Sequence, residues 1–224
     1  MKTIQEIFEA FQRVGVVSCA TLDGKGSVES RMAVPCAYDA EGIYIGTMTV
    51  KPFYRQMKEG GCVSLCGEYP TTRVSLGERN KPYFEPGYTV RLSGQVREIS
   101  EAELMEKASG NPLFDHAVDD LAQYPETRYF VIYKGHGEIY DYDYEMEKRD
   151  HKIERERFAF GGEEIVAPGL SITGDCTGCG ACLERCSFKA IEEGTPYRIL
   201  GNRCDECGDC YNACPVGAVV TKGL

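Results

Sequence analysis

Residues 176–186 read CTGCGACLERC and residues 204–215 read CDECGDCYNACP, so the cysteine spacing C-x2-C-x2-C-x3-C occurs twice. Three thiolates with this spacing can bind one face of an iron–sulfur cube, and the fourth binds the neighbouring cluster. The sequence therefore predicts two 4Fe–4S clusters. The expected ligands are Cys176, Cys179, Cys182 and Cys214 for the first cluster, and Cys204, Cys207, Cys210 and Cys186 for the second.

The two runs belong to an internal repeat of 28 residues, in which Gly180 matches Gly208 and Ala190 matches Ala218. Residues 170–224 resemble the bacterial two-cluster ferredoxins. One position differs, because Ser187 stands where the second run has Pro215. Proline fixes φ and lacks an N–H group, so we expect a different turn and different hydrogen bonding near one cluster, with no ligand lost.

Zinc and disulfides are the alternative explanations of these cysteines. Structural zinc sites use four ligands, often in two C-x2-C pairs. Each run here has a third and a fourth cysteine after its first C-x2-C pair, and the zinc pattern does not explain them. Disulfides are typical of small secreted domains, and the amphipathic pattern of residues 1–14 does not predict a signal peptide. Both alternatives therefore explain the spacing less well than clusters do.

The composition limits the classes of function. A chain of 224 residues has room for one ordinary domain and one small domain. Its net charge of −10 disfavours binding to nucleic acid or to an anionic membrane. Twelve cysteines without an export signal predict a reducing cytoplasm, and oxygen-sensitive clusters predict an anaerobic host.

The pattern before the cysteines predicts a mainly β domain with helices, of the α+β class. Strands are expected over residues 15–22, 28–38, 43–49, 62–69, 88–99 and 128–140, with helices over 1–14, 53–59, 101–109 and 114–123. Short strands separated by turn signals favour a barrel. The charged stretch 141–158 predicts a solvated linker or an exposed edge. The expected domains are a barrel at 1–145, a linker at 146–168 and a ferredoxin domain at 169–224.

Three segments carry a second resemblance: GVVSCATLDG at 15–24, IYIGTMTVKPFYRQM at 43–57 and YTVRLSGQV at 88–96. Their order, with an arginine-bearing second strand, resembles the pyridoxamine 5′-phosphate oxidase-like family over roughly residues 1–140. This resemblance implies a split β-barrel that binds FMN and forms a homodimer. The implied FMN-binding residues are Arg31, Met32, Ala33, Val34, Thr47, Met48, Thr49 and Lys51.

Elementary chemistry supports part of this assignment. A phosphate group needs a cation, hydroxyl donors and the free N–H groups of a helix start, and Thr47, Thr49 and Lys51 directly precede the predicted short helix. The substrate contacts of the oxidase cannot be located in this sequence. Cysteines 19, 36, 62 and 66 fit buried structural thiols, and histidines 116, 136 and 151 share no ligand spacing. No catalytic acid or base is predicted.

Together the two parts predict an oxidoreductase. Clusters transfer single electrons, and a flavin converts them to two-electron chemistry. The first hypothesis is that an external low-potential donor reduces the clusters, which reduce FMN, which reduces a small organic substrate. The second is an electron-transfer module between protein partners that has no substrate of its own. A third is that the barrel binds haem or a deazaflavin instead of FMN.

Overall fold

The computed structural model describes residues 2–69, 75–76, 80, 82–83, 87–141 and 153–222. The chain divides into two compact units. The first comprises Met1–Thr71, Thr89–Ile139 and Arg157–Ile165, and the second comprises Thr72–Tyr88, Tyr140–Glu156 and Val166–Leu224. The domain boundaries predicted from the sequence stay a prediction.

The elements up to residue 160 alternate strands with short helices. The helices are α1 (Ile4–Val14), α2 (Pro52–Gly60), α3 (Glu101–Gly110) and α4 (Asp115–Gln123), with a 3₁₀ turn at Pro112–Phe114. The strands are β1 (Val17–Leu22), β2 (Val28–Ala33), β3 (Pro35–Tyr38), β4 (Ile43–Met48), β5 (Cys62–Tyr69), β6 (Ser75–Leu76), β7 (Pro82–Tyr83), β8 (Tyr88–Glu98), β9 (Thr127–Asp141) and β10 (Glu154–Phe160).

One large sheet dominates the first unit. Its strand order is β2-β1-β5-β8-β9-β4-β3, and β10 also pairs with β9. The two ends of this path, β2 and β3, are separated in the chain only by Val34. A one-residue connection between the first and last strands requires the sheet to curl until its ends approach each other. The sequence predicted one strand over 28–38; the chain instead breaks at Val34, where it passes from one end of the sheet to the other.

The first helix forms where the sequence predicts it. The Thr3 hydroxyl accepts a hydrogen bond from the Glu6 N–H at 3.2 Å, and the Glu6 carboxylate accepts one from the Thr3 N–H at 2.8 Å. This reciprocal pair is a capping box, which satisfies N–H groups at the helix start. Ile7 and Phe11 at helical spacing are completely buried. The apolar face of α1 therefore fixes the helix against the sheet.

The region predicted as a linker, 146–168, contains strand β10 at Glu154–Phe160. Phe158 is completely buried, and Arg155 is only 9% exposed. The alternating charges of this stretch predicted a solvated linker or an exposed edge, but an alternating pattern also fits a strand. The sequence did not predict β10, and the predicted bounds of the linker stay a prediction.

An ion network fixes α3 to the turn between β3 and β4. Arg97 donates to the Glu41 carboxylate, with Nε to Oε1 at 2.8 Å, and it also contacts Glu103. Lys107 on α3 donates to Asp39 at 2.7 Å and to Glu41 at 3.1 Å. A network of several charges stabilises more than an isolated surface pair does. It keeps α3 beside the turn.

The second unit contains a repeated small fold. Its elements are β11 (Leu170–Ile172), α5 (Ala181–Arg185), β12 (Ile191–Glu192), β13 (Arg198–Ile199), α6 (Asp209–Ala213) and β14 (Val219–Thr221). Strand β11 pairs with β14, and β12 pairs with β13, both antiparallel. Each short helix follows a glycine with positive φ, 80° at Gly180 and 83° at Gly208. The expected α+β architecture, a split-barrel domain followed by a small ferredoxin-like domain, is confirmed.

Of the helices in the described ranges, none combines the length and the apolar character required to cross a membrane.

Candidate cofactor-binding sites

The structure places Cys186, from the first run, with the cysteines of the second run. Cys186, Cys204, Cys207 and Cys210 line one small cavity in the second unit. Apolar side chains, including Leu170 and Phe188, complete its wall. This is the set of four thiols that the sequence predicted for the second cluster.

Burial raises the pKa of two thiols in this group, Cys204 and Cys210. Burial raises the pKa of Cys210 to about 11, and the nearby Cys204, Cys186 and Cys207 add to the increase. Burial also raises the pKa of Cys204, with contributions from the charges of Glu206, Cys186 and Cys207. Crowded thiolates repel one another, and a bound cationic metal core relieves this repulsion. Binding of a metal core by these thiols would therefore release protons.

The first group is gathered around Cys182, which is buried. Burial raises the pKa of Cys182, and the charges of Cys176 and Cys179 raise it further. Tyr197 lies beside this loop, because its ring is 3.9 Å from the position that a Cβ at Gly178 would occupy. The predicted fourth ligand, Cys214, packs against the same apolar core as Cys182.

The two turns after the fourth cysteines have the same hydrogen bonds. The Ala190 N–H donates to Cys186 Sγ at 3.3 Å, and the Ala218 N–H donates to Cys214 Sγ at 3.2 Å. In addition, the Lys189 N–H donates to the Cys186 carbonyl at 3.3 Å, as the Gly217 N–H does to Cys214 at 3.4 Å. The expectation that Ser187 changes the turn is therefore wrong: neither bond uses the N–H that proline lacks.

Within the described ranges, no three His, Cys, Asp or Glu side chains are arranged to hold a single metal ion. The four thiolates of an iron–sulfur cube bind four different irons, so they lie farther apart than the ligands of one ion.

The first unit has a cavity of about 630 Å³ between α1, α4 and the strands β3 and β4. Six of the eight residues predicted to bind FMN line it: Met32, Ala33, Val34, Thr47, Met48 and Lys51. Lys51 is the residue before the first turn of α2, and Pro52 follows it. Proline suits this position because its missing N–H would have no partner inside the helix.

Arg31 and Thr49 do not line this cavity. The Arg31 guanidinium donates to Thr21 Oγ1 at 3.0 Å and to Gln56 Oε1 at 2.6 Å. It also lies over the Phe53 ring, 4.5 Å from the centroid. Arg31 is thus held between β1 and α2. The Thr49 hydroxyl donates to the Glu126 carboxylate.

Two buried hydroxyl groups in this cavity, Thr47 Oγ1 and Thr127 Oγ1, have no hydrogen-bond partner among the residues that the structure describes. Both residues line the cavity, and they are only 6% and 7% exposed. A buried hydroxyl without a partner costs about 1–3 kcal/mol, so its retention is expected where a ligand supplies the partner. The residues present therefore fit a polar ligand such as the ribityl phosphate part of FMN.

The opposite wall contributes titratable groups that the sequence did not single out. The Tyr129 hydroxyl donates to Asp120 Oδ2 at 3.3 Å, and His116 also lines the cavity. Burial, with smaller effects from neighbouring groups, raises the pKa of Cys36 to about 12. No sequence pattern marks Thr127, Tyr129 or Asp120, because the cavity forms only where α4 and β9 meet α1, β3 and β4.

A second cavity in the same unit has a volume of about 430 Å³. Cys62 and His136 line it, together with residues of β1 and β8 and the exposed Val28 of β2. None of the predicted FMN-binding residues belongs to it. It is separate from the candidate flavin cavity.

Residues 175–219 match the model of the family described as the 4Fe-4S dicluster domain. This match supports a 4Fe–4S cluster in this segment and indicates iron–sulfur electron transfer.

Several solved structures are similar to the chain. A nimC/nimA family protein from Clostridium acetobutylicum is 20% identical, with a TM-score of 0.49, and the match covers 70% of this chain and 92% of that one. PhzG from Burkholderia lata, in complex with tetrahydrophenazine-1-carboxylic acid, is 17% identical with a TM-score of 0.46, over 69% and 80% of the two chains. A pyridoxamine 5′-phosphate oxidase-related, FMN-binding protein from Nostoc punctiforme is 14% identical with a TM-score of 0.45, over 73% and 96%. These TM-scores are below 0.5, so the likenesses carry no argument about the ligand or the reaction of this chain.

Proposed function

We propose that this protein is an oxidoreductase in which two 4Fe–4S clusters pass single electrons to FMN, and FMN reduces a small organic substrate. The observation that carries the proposal is the gathering of Cys186 with Cys204, Cys207 and Cys210 around one small cavity. Four converging thiols suit a multinuclear metal cluster better than they suit free cysteines.

The flavin part of the proposal is supported by the 630 Å³ cavity, whose size suits a cofactor. Thr47 and Thr127 offer unused hydroxyl groups inside it. Lys51, at the start of α2, adds a cation, and the helix start favours an anion. Met32 and Val34 are more than half exposed at its edge and offer apolar contact to a planar ring.

Bound FMN would take up electrons singly and deliver them in pairs. The chain's own residues then have separate roles. Thr47, Thr127 and Lys51 bind and orient the polar end of the cofactor. Met32 and Val34 exclude water from its ring. The Tyr129 hydroxyl, which donates to Asp120 in the same cavity, is a group that can hold a proton there.

The partners follow from the same proposal. An external low-potential donor or acceptor would exchange electrons with the clusters, and a small molecule would react at the flavin cavity. We further propose a homodimer in a reducing, anaerobic cytoplasm. Exposed apolar side chains on β2, including Val28 at 70% and Met32 at 65%, support self-association.

The test is purification of the full chain without oxygen, with iron, sulfide and flavin measured per chain. About eight irons and one FMN are expected. Candidate oxidants are then added to the reduced protein, and flavin reoxidation is followed by its visible absorbance. Reoxidation that saturates with one class of small molecule supports the reductase.

Other outcomes support the alternatives. Eight irons with flavin, but reoxidation only by protein acceptors, supports an electron-transfer module. Eight irons with haem or a deazaflavin supports a different barrel ligand. Protein kept free of oxygen that binds flavin but no iron would overturn the proposal.

A further inference from the structure

The loop between Cys204 and Cys207 contains a residue in an unusual backbone conformation. Glu206 has φ of 61°, in the left-handed region that glycine adopts readily. The matching residue of the first repeat is Gly178, with φ of 72°. A residue with a Cβ costs roughly 1 kcal/mol in this conformation. The repeat therefore shows that glycine suits this turn, and that the second loop carries a glutamate at a cost.

The Glu206 backbone has a direct role at the second cysteine group. Its N–H donates to Cys204 Sγ at 3.3 Å. Hydrogen bonds to cluster sulfurs are one of the features that set the reduction potential of an iron–sulfur cluster. The left-handed turn at Glu206 places this N–H toward the sulfur.

The Glu206 side chain is held by two groups outside the loop. Arg155 Nη1 lies 3.1 Å from Glu206 Oε2, and the Gly169 N–H donates to Glu206 Oε1 at 3.1 Å. The Arg155 N–H also donates to the Asn202 carbonyl at 2.8 Å, just before the loop. Arg155 therefore contacts this loop through both its backbone and its side chain.

Arg155 is itself fixed in place. Its side chain is 9% exposed, and its guanidinium lies 4.6 Å from the centroid of the Tyr140 ring. The Tyr140 hydroxyl donates to Asp205 Oδ1 at 2.8 Å, so Tyr140 also contacts the loop. A buried cation stacked on an aromatic ring is screened less by solvent than a surface charge is.

We propose that Arg155 and Glu206 are positioning residues that fix the Cys204–Cys207 loop and set the reduction potential of the second cluster apart from that of the first. This inference rests on the proposed second cluster. Arg155 comes from β10, outside the cysteine repeat, and Gly178 in the first repeat has no side chain with which to form such a pair. The charges act in opposite directions: the cation stabilises the more negative, reduced cluster, and the carboxylate destabilises it.

The test compares midpoint potentials of the two clusters in the full chain, by redox titrations monitored with electron paramagnetic resonance. Arg155→Gln should shift the second cluster to a more negative potential, and Glu206→Gln should shift it to a more positive one. Arg155→Lys retains the positive charge, so the potential of its second cluster should stay close to that of the wild type. The potential of the first cluster should stay unchanged in all three variants.

A charge-matched control is Arg198→Gln. Arg198 is in the same unit, but its side chain is 70% exposed and pairs with Glu192 on the surface. It should leave both potentials unchanged. Shifts of the same sign in Arg155→Gln and Glu206→Gln, or no shift in either, would overturn the inference. Loss of iron without any shift in the cluster that remains would show a merely structural role and would also overturn it.

The proposed function fails in a different measurement. Wild-type protein with only about four irons per chain would contradict the two-cluster proposal, and with it this inference. If the wild type has about eight irons and the cluster potentials of the variants are unchanged, only this inference is contradicted.

Discussion

Thr47 and Thr21 are both buried threonines of the first unit, with 6% and 4% exposure. Their hydroxyl groups differ in one respect. Thr21 Oγ1 donates to Gln56 Oε1 at 2.8 Å and accepts from Arg31 at 3.0 Å, whereas Thr47 Oγ1 has no partner. The first hydroxyl stabilises the fold, and the second is available to a ligand.

Replacing these hydroxyls should therefore have opposite effects on stability. Thr47→Val removes an unsatisfied polar group, so we expect the flavin-free protein to become more stable by about 1 kcal/mol. The same change should weaken FMN binding about tenfold, which corresponds to roughly 1.4 kcal/mol. Thr21→Val is the control, and it should destabilise the protein by about 1–2 kcal/mol because its partners lose a hydrogen bond. Denaturant unfolding and flavin titration measure the two quantities. A destabilised Thr47→Val protein with unchanged flavin affinity would contradict this role.

The fourth cysteine of each run is the predicted ligand of the other run's cluster, and this assignment gives a second prediction at the residue scale. Cys186→Ala should impair the second cluster, because Cys186 lies with Cys204, Cys207 and Cys210. The iron content should fall from about eight to about four per chain, with the signal of the first cluster retained. Cys214→Ala is the matched variant and should impair the first cluster instead. Iron analysis and electron paramagnetic resonance distinguish the two results. Loss of the first cluster in Cys186→Ala, with the second intact, would show that the assignment is reversed.

The structure brings Cys186 together with the cysteines of the second run, as the spacing predicts, whereas only some of the residues predicted to bind FMN line the candidate cavity. Cluster ligands must recur at fixed short spacings, so Cys186 and Cys204 can be assigned by counting along the chain. The cavity depends on contacts between distant elements. Arg31 was predicted to bind the cofactor, yet in the structure Gln56 of α2 binds its guanidinium. Thr127 was not predicted, because no local pattern marks a buried hydroxyl that lacks a partner.

At the scale of elements, the turn between β3 and β4 depends on the charge of Asp39. Burial alone would raise the pKa of Asp39, but hydrogen bonds from Lys107, the Glu41 N–H and the Tyr44 hydroxyl lower it below its ordinary value. A carboxyl whose pKa is lower in the folded state stabilises the protein at pH values above its unfolded pKa of about 3.9. This stabilisation is lost as the pH falls through the folded pKa.

Asp39→Asn should therefore lower the melting temperature at pH 7, and the difference from wild type should shrink as the pH falls below about 4. The exposed Asp119→Asn on α4 is the control and should follow the wild type throughout. Because acid also affects iron–sulfur clusters, the informative quantity is the difference between variants at each pH. Thermal unfolding followed by circular dichroism measures it. A constant difference from pH 7 to pH 3 would show that the Asp39 charge has no role.

Strands β2 and β10 show why a local sequence pattern can predict a strand without predicting what the strand packs against. The alternation of β2 continues through Val34 into β3, so residues 28–38 resemble one strand. Only the curling of the whole sheet requires the break there. In β10, the alternating charges of Glu154–Arg157 do not reveal that Arg155 and Phe158 are both buried. Burial of an arginine depends on its partners, which the local sequence does not contain.

At the scale of the whole molecule, the exposed face of β2 connects the two cavities of the first unit. A period of two places Val28 and Met32 on the same face of this strand. Val28 lines the 430 Å³ cavity, and Met32 lines the candidate flavin cavity. A surface that exposes both apolar side chains is expected to bind another surface. The proposed homodimer would cover this face.

Val28→Glu should therefore convert the dimer to a monomer, because a charge cannot be buried in an apolar interface without a partner. Met105→Glu is the control: Met105 is 48% exposed on α3 and lies outside both cavities, so this variant should remain dimeric. Sedimentation velocity under anaerobic conditions measures the mass of each variant. Flavin content measured on the same samples shows whether the cavity depends on the second copy, since Val28 does not line the flavin cavity itself. A monomer that retains FMN would place the complete flavin site in one chain, and a Val28→Glu dimer would exclude this face of β2 as the interface.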